Sequence, residues 1–555
     1  MGACGRTSAF GDRRTGCGKA RLAVVRVREL FADYCGDFQK LRQFFRYDPH
    51  DLSNAVSELR GTQQRRFNED QLNEIKLYNK RMDCSDETLK NIDRLGKDGT
   101  LAVVTGQQPG IFTGPLYTIY KTLTAIKLAR HITERFGVSA VPVFWNASED
   151  HDFEEVRHVE FINRDNRVIS LLYEPQADVE GKSIFDIPLE PPLTFLIDLM
   201  AGDTNESEFK PFLLNLLRNS ISRCYSLADW FSTLMQALFN PYGLIILDAH
   251  LPPCRQLARP VIGREIKIPI RSSRLINEAG AQLRALGYHQ QIERRPDDVN
   301  FFFYAQGRRN KVRFKQGKFL VERIGLEYDQ TEMLDMLAEE PQRFSPSAVL
   351  RPLVQDHILP TVAYVGGPGE ISYFAQMRNA YSFFDLVMPI VYPRCRVVLV
   401  EARIAKILER YGLHADDARK SRRELLGIVT QERGSRPIVQ ACDRKLEVMQ
   451  LLLDEFRREV HEVDPTLVDP VDKLKRKIGY EMDKLREKLV QSEQDDAEVA
   501  EQQVDKLKAH LFPEGKEQER VFNVFPYLFS YGIELIAVLE KALDIGSFNK
   551  QIIHV

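Results

Sequence analysis

Three stretches of this sequence gather residues whose types and spacing can do chemistry. The first runs Thr105-Gly-Gln-Gln-Pro-Gly-Ile-Phe-Thr-Gly-Pro-Leu-Tyr117 and is followed by Lys121. Glycines at 106, 110 and 114 let the backbone turn tightly and approach a ligand closely. A helix starting after Pro115 would offer free N–H groups and a positive dipole end, which suit a carboxylate or a phosphate. Neither a Walker loop nor a G-x-G-x-x-G fingerprint is present. Two adjacent amides are costly to bury without partners, so Gln107 and Gln108 point to binding. Gly106, Gln107, Gln108, Thr113, Gly114, Tyr117 and Lys121 are therefore candidates for holding substrate or nucleotide. The competing reading is that the glycines only permit a tight turn.

The second stretch is Trp145-Asn-Ala-Ser-Glu-Asp-His-Asp152. Crowded carboxylates beside an imidazole shift one another's proton affinities and can supply a general base. Glu149, Asp150 and His151 are the catalytic candidates, with Trp145 as a binding neighbour. Acids at the start of a helix explain the same residues without chemistry. His151, Glu155 and His158 stand at i, i+4 and i+7, where one helical face would present all three to a metal. We assign no metal.

The third stretch is Leu350-Arg-Pro-Leu-Val-Gln-Asp356, leading to Ala363-Tyr-Val-Gly-Gly-Pro-Gly-Glu370 and Tyr373-Phe-Ala-Gln376. Arg351 can clamp a carboxylate or phosphate, and Glu370 can hold an ammonium group. Gln355, Asp356, Gly366, Gly367, Tyr373 and Gln376 complete the set of binding candidates. A surface ion pair for Arg351 and a helix-start acid for Glu370 are the plainer alternatives.

These stretches need elements to position them. Apolar residues predict a strand over 101–105, a helix over 116–136 and a strand over 141–145, which together form a βαβ unit and imply a parallel sheet. Further strands are expected at 243–248, 361–365 and 389–392, with a helix over 370–384. In such sheets ligands bind beyond the carboxyl ends of the strands, where all three stretches fall. We read 28–260 and 346–425 as the two parts of this α/β core, beginning with a helical lead-in over 28–95. Between them, 261–345 is an inserted connecting segment, with short antiparallel strands at 301–304, 311–314 and 319–321.

From about 426 the chain becomes long-helical. Leu446, Met449, Leu453, Phe456 and Val460 repeat at 3 and 4, as do Ile478, Met482, Leu485 and Leu489, and then Ala497, Ala500, Val504, Leu507 and Leu511. Pro465 and Pro470 separate the first two runs, and a polar run from Gln491 to Asp496 separates the last two. This predicts an antiparallel helical hairpin or coiled coil over 426–520. A last helix near 527–543, within 521–555, is expected to pack on the core.

Bulk properties bound the function. A chain of 555 residues, 43% hydrophobic and 28% charged, is globular and long enough for several domains. Its 77 basic and 79 acidic residues give a net charge of −2 and no electrostatic reason to expect nucleic acid. No apolar run reaches the roughly 18 residues of a membrane helix. The eight cysteines form no C-x-x-C pair, and their scatter fits reduced thiols in a cytoplasm. Residues 1–27 form a basic, glycine-rich leader without the apolar stretch of a secretory signal. We expect this leader to lie outside the fold, as a disordered tail or the result of a start codon assigned too early.

Taken together, VTGQQPGIFTGPLYTIYK, PVFWNASEDHDFEE and LRPLVQD…AYVGGPGEISYFAQ resemble the signature blocks of the BshC family, the cysteine ligases of bacillithiol biosynthesis. MPIVYPR at 388–394 and QERVFNVFPYL at 518–528 extend the resemblance over roughly 28–555. It implies a Rossmann-like core with an inserted connecting segment and a C-terminal coiled-coil domain through which a homodimer forms. It also implies ligation of the cysteine carboxyl to the amine of glucosaminyl-malate. An amide made in water needs an activated carboxyl, so ATP is expected as cosubstrate. The motifs H-I-G-H and K-M-S-K-S of class I synthetases are absent. Two other classes fit the loops: a nucleotidyltransferase-like enzyme with another acceptor, and a non-catalytic nucleotide-binding scaffold.

Overall fold

A computed structural model describes residues 29–62, 67–432 and 438–555. The basic leader read at 1–27 lies outside the described residues. Four helices, Leu30–Gly36, Leu52–Thr62, Glu69–Arg81 and Asp86–Leu95, form the lead-in. Asn68 caps the third in a reciprocal box with Gln71, and Ser85 caps the fourth.

The core is a five-stranded sheet. Its strands are β1 (Leu101–Gln107), β2 (Ala140–Asn146), β3 (Ile245–Asp248), β4 (Thr361–Gly366) and β5 (Ile390–Pro393), in the order β5-β4-β1-β2-β3. Every pairing is parallel. Helices cover both faces, which is why these strands read as unbroken apolar runs. Helix α1 (Leu116–Phe136) crosses from β1 to β2 and buries Ile119, Leu123, Ile126 and Leu128. The strand order places β4 beside β1, so the glycine loops that follow them are neighbours. At the end of β1, Gly106 lies opposite Trp145. A Cβ on Gly106 would fall 2.7 Å from the Trp145 carbonyl oxygen, so only glycine fits there.

The connecting segment contains an antiparallel sheet. Asp298–Ala305, Arg308–Lys315 and Lys318–Val321 form its centre, flanked by Phe344–Pro346 and Leu326–Tyr328. Its two tight hairpins turn at Gln306-Gly307 and Gln316-Gly317, where all four residues have positive φ, as two-residue turns between twisted strands require.

Two expectations need correction. The single helix over 370–384 is instead α2 (Pro368–Phe374) followed by Arg378–Phe383. The turn between them is fixed by Gln376, whose side chain bonds the backbone at 276, 291 and 292. The last helix is also two, Phe525–Tyr531 and Leu535–Ala542, because Gly532 at φ 79° ends the first. The chain then closes with a strand that local patterning did not reveal, Lys550–His554, paired in parallel with Arg396–Val400.

The long-helical region is the hairpin α3 (Ile438–Val463) and α4 (Val468–Leu511), joined through Pro465–Leu467. Helix α4 runs unbroken through the polar stretch at 491–496. Its last turns bury Ala500, Val504, Leu507 and Leu511 against Ile404, Leu408, Leu425 and Val429. Toward the tip, ion pairs Arg457–Asp472 (2.9 Å), Lys475–Asp454 (2.5 Å) and Arg486–Asp443 (2.8 Å) tie the two helices together. Leu451, Leu452, Phe456, Tyr480 and Leu485 remain exposed there. Among the described residues, no helix is long and apolar enough to cross a membrane.

Candidate active site

A cavity of about 480 Å³ opens over the carboxyl ends of β1, β2 and β4. Gly106, Gln107, Gln108 and Tyr117 line it from the first glycine loop, and Glu149, Asp150 and His151 from the loop after β2. Arg351, Gly367, Glu370 and Tyr373 line it from the third stretch. Its remaining wall includes Phe302, Arg309 and Ser347 from the connecting segment and its exit, with Arg394 and Arg520 from beyond β5.

Lys121, buried beneath the first loop, ties two walls together. Its ammonium donates to the Gly106 carbonyl at 2.6 Å and to Gln107 Oε1 at 3.3 Å. It also pairs with Glu370 Oε2 at 2.8 Å. Glu370 in turn accepts from the Gly367 N–H at 2.9 Å and the Tyr364 hydroxyl at 2.6 Å. Burial pushes the Glu370 carboxyl up, but Lys121, Gly367 and Tyr364 outweigh it and hold the group below its ordinary range. The ammonium that Glu370 holds is thus the protein's own.

The acids after β2 are not equivalent. Asp150 accepts from Gln108 Nε2 at 2.8 Å and from the His151 N–H at 2.7 Å, and Arg309 lies 3.5 Å from its Oδ1. Burial raises its pKa, but the His151 side chain, Arg309 and Gln108 outweigh that and hold it well below the usual carboxylate range. Asp150 is therefore a fixed anion. Arg309 also donates to His151 Nδ1 at 2.9 Å, packs over the Phe302 ring at 3.8 Å, and bonds Ser345 Oγ and the Pro346 carbonyl. His151 Nδ1 thus lies between the Arg309 guanidinium and the Asp150 carboxylate, 3.6 Å from its Oδ1. Glu149 is buried with one oxygen on Arg255, at 3.1 Å. Burial pushes its carboxyl up against the pull of Arg255, Arg309 and Arg351.

Arg351 donates to the Tyr373 hydroxyl at 3.0 Å. Burial holds the Tyr117 and Tyr373 phenols up at about 12, so both stay protonated donors. Beneath the loop after β2, Asp248 at the end of β3 accepts from Ser148, from the His250 N–H at 2.7 Å and from Asn146 at 3.2 Å. Burial pushes its carboxyl up to about 7.

Several sequence candidates stand away from the cavity wall. Trp145 is a core side chain under the sheet edge. Thr113 and Gly114 face the C-terminal segment, where Asn523 Nδ2 donates to the Phe112 and Gly114 carbonyls at 2.7 Å each. Gln355 and Asp356 bond each other at 3.1 Å in the core, and Asp356 also accepts from Tyr381. Gly366 accepts the Arg394 N–H through its carbonyl, and Gln376 is the turn peg described above. The metal alternative fails on geometry: the helix after Asp152 is only Phe153–Val156, and His158 begins a strand, so His151, Glu155 and His158 share no helical face.

Sequence reading missed Arg309, Arg394 and Arg520. Arg394 makes a two-pronged ion pair with Glu519, at 2.7 and 2.8 Å, and lies 5.6 Å over the Tyr117 ring. The MPIVYPR and QERVFNVFPYL blocks hold these residues, so the signal was present without a role attached. Arg309 lies in a hairpin with no distinguishing local pattern.

An open parallel sheet with glycine loops and convergent charged side chains over its carboxyl edge defines a Rossmann-like small-molecule enzyme. Residues 19–395 match the model of the bacillithiol biosynthesis BshC N-terminal Rossmann-like domain, and residues 397–555 match that of the BshC C-terminal coiled-coil domain. The chain belongs to the BshC family. A relative from Salinibacter ruber, named "Putative cysteine ligase BshC", is 34% identical over 95% of this chain and 96% of its own length. One of the same name from Symbiobacterium thermophilum is 35% identical over 86% and 88%, and one from Chloroherpeton thalassium 32% over 95% and 96%.

Proposed function

We propose that this protein ligates the carboxyl of cysteine to the amine of glucosaminyl-malate in bacillithiol biosynthesis, with ATP activating the carboxyl. The observation that carries the reading is the convergence of three loops on one cavity, two of them pinned together by Lys121 and Glu370. A site of this size accommodates small molecules. Its wall carries Arg294, Arg309, Arg351, Arg394 and Arg520, a set that favours anionic groups such as carboxylates and phosphates. Arg394 is committed to Glu519, Arg309 to Asp150, Ser345 and the Pro346 carbonyl, and Arg294 to the Val299 carbonyl and Asp298, which leaves Arg351 and Arg520 as the groups best suited to receive them. The names of the relatives supply the amino acid, and the need for an activated carboxyl supplies ATP. A reduced thiol substrate and ATP are both cytoplasmic, which supports that location. The exposed apolar residues of the α3–α4 tip support a homodimer through the hairpin.

The test is incubation of the purified protein with cysteine, glucosaminyl-malate and ATP, followed by mass analysis. The ligated thiol should appear and should require all three. A different adduct would favour a nucleotidyltransferase-like enzyme with another acceptor, and no adduct would favour a binding scaffold.

A further inference from the structure

Of the three catalytic candidates Glu149, Asp150 and His151, Glu149 has a buried oxygen that accepts no hydrogen bond. Both carboxylate oxygens of Asp150 are taken by Gln108 and the His151 N–H, and His151 Nδ1 is taken by Arg309. Glu149 lines the cavity with its side chain 4% exposed. One oxygen, Oε2, faces Arg255, which is also held by the Phe344 carbonyl at 2.6 Å. The other, Oε1, is buried and has no hydrogen-bond partner in the protein. A buried carboxylate oxygen without a donor is costly, and most native structures avoid it. The backbone there is fixed independently: the Tyr304 hydroxyl donates to the Glu149 carbonyl at 3.4 Å, and Ser183 donates to the Ser148 carbonyl at 2.6 Å. Glu149 is thus a firmly placed residue of the cavity wall whose buried Oε1 accepts no hydrogen bond.

Resting on the ligase reading above, we propose that Glu149 is the general base of the transfer step, receiving at its carboxylate a proton from the nitrogen of the acceptor amine. The amine enters as the free base and its nitrogen attacks the activated cysteine carbonyl. The C–N bond forms, the C–O bond to the phosphoryl group breaks, and that group leaves with the electron pair. The surplus N–H proton passes to Glu149, which later returns it to solvent. The charged groups acting on Glu149 are Arg255, Arg309, Arg351 and Asp150. Burial makes this carboxylate more basic than an ordinary glutamate despite the three guanidiniums. Asp150 and Arg309 are positioning residues that orient His151.

The experiment uses full-length protein carrying Glu149→Gln, which keeps the shape and removes the base. Two products are measured with cysteine and ATP present. One is the amide formed with glucosaminyl-malate. The other is cysteine hydroxamate formed with hydroxylamine, which traps an activated carboxyl and needs no base. The expected result is retained hydroxamate with amide formation reduced about 10²-fold or more. Hydroxamate formation is also the control for folding and for activation. Retained amide formation, within about tenfold of the parent, overturns the base assignment, as does equal loss of both products. If the parent protein forms neither product, the ligase reading itself fails and the base assignment falls with it.

Discussion

Lys121 Nζ lies 2.8 Å from Glu370 Oε2, across the boundary between two glycine loops whose sequences are about 250 residues apart. The lysine side chain is 1% exposed and is also held by the Gly106 carbonyl. One ion pair therefore sets the distance between the β1 and β4 walls of the site. Removing one partner leaves the other charge uncompensated. Lys121→Met should cost about 3 kcal/mol of stability, read as a lower denaturant midpoint, with loss of ligation. Lys121→Met with Glu370→Gln should recover part of that stability but not activity. If the single variant kept full stability and turnover, the pair would not organise the site.

Asp150→Asn should leave the fold intact and lower product formation by about 10²-fold. The change removes the fixed anion beside Arg309 and replaces one of the two oxygens that accept from Gln108 and from the His151 N–H. Circular dichroism would confirm folding. A folded variant with parental turnover would falsify an essential role for the Asp150 charge.

The hairpin tip exposes Leu451 at 68%, Leu452 at 59%, Tyr480 at 58% and Leu485 at 47%. Light scattering at micromolar concentration should give twice the 64.0 kDa chain mass. Leu485→Asp should weaken the dimer, because a charge in an apolar seam must be desolvated without a partner. A 64.0 kDa particle for the parent would count against assembly through α3 and α4.

Stability should carry a pH signature from Asp248. Burial raises its folded-state pKa to about 7, above the roughly 3.9 of an unfolded aspartate. A raised carboxyl stabilises the fold fully below the unfolded value and loses that contribution as pH rises through the folded value. Denaturant midpoints measured from pH 5 to pH 8 should fall more steeply for the parent than for Asp248→Asn. Parallel profiles would show that Asp248 does not titrate in this window.

Asn523 holds the loop that carries Phe112 and Thr113 at φ 52° and 73°. Non-glycine residues in that region store strain that their surroundings must offset. Asn523→Asp replaces two donors with a carboxylate facing two carbonyls. It should destabilise by about 1–3 kcal/mol and depress turnover through the Gly106 loop. Unchanged melting and turnover would make the two hydrogen bonds dispensable.

The sequence by itself determined the elements of this protein and where along the chain its chemistry gathers. Helix Leu116–Phe136, the five core strands and the antiparallel insert follow from local apolar periodicity and turn residues, which act over a few positions. The glycine loops and the acid cluster were legible because their residue types have no simpler packing use together at strand ends. Which of those residues face the cavity was decided only by tertiary packing. Trp145, Gln355, Asp356 and Gln376 stand in conspicuous motifs yet point into the core, because side-chain direction depends on the neighbours each strand and helix acquires. Arg309 meets His151 across 158 residues, Arg394 meets Glu519 across 125, and the strand Lys550–His554 pairs with Arg396–Val400. Such pairings leave no local pattern, since each partner's sequence is compatible with many others until the chain closes. The same closure separates Asp150, whose oxygens are taken, from Glu149, whose buried Oε1 accepts no hydrogen bond.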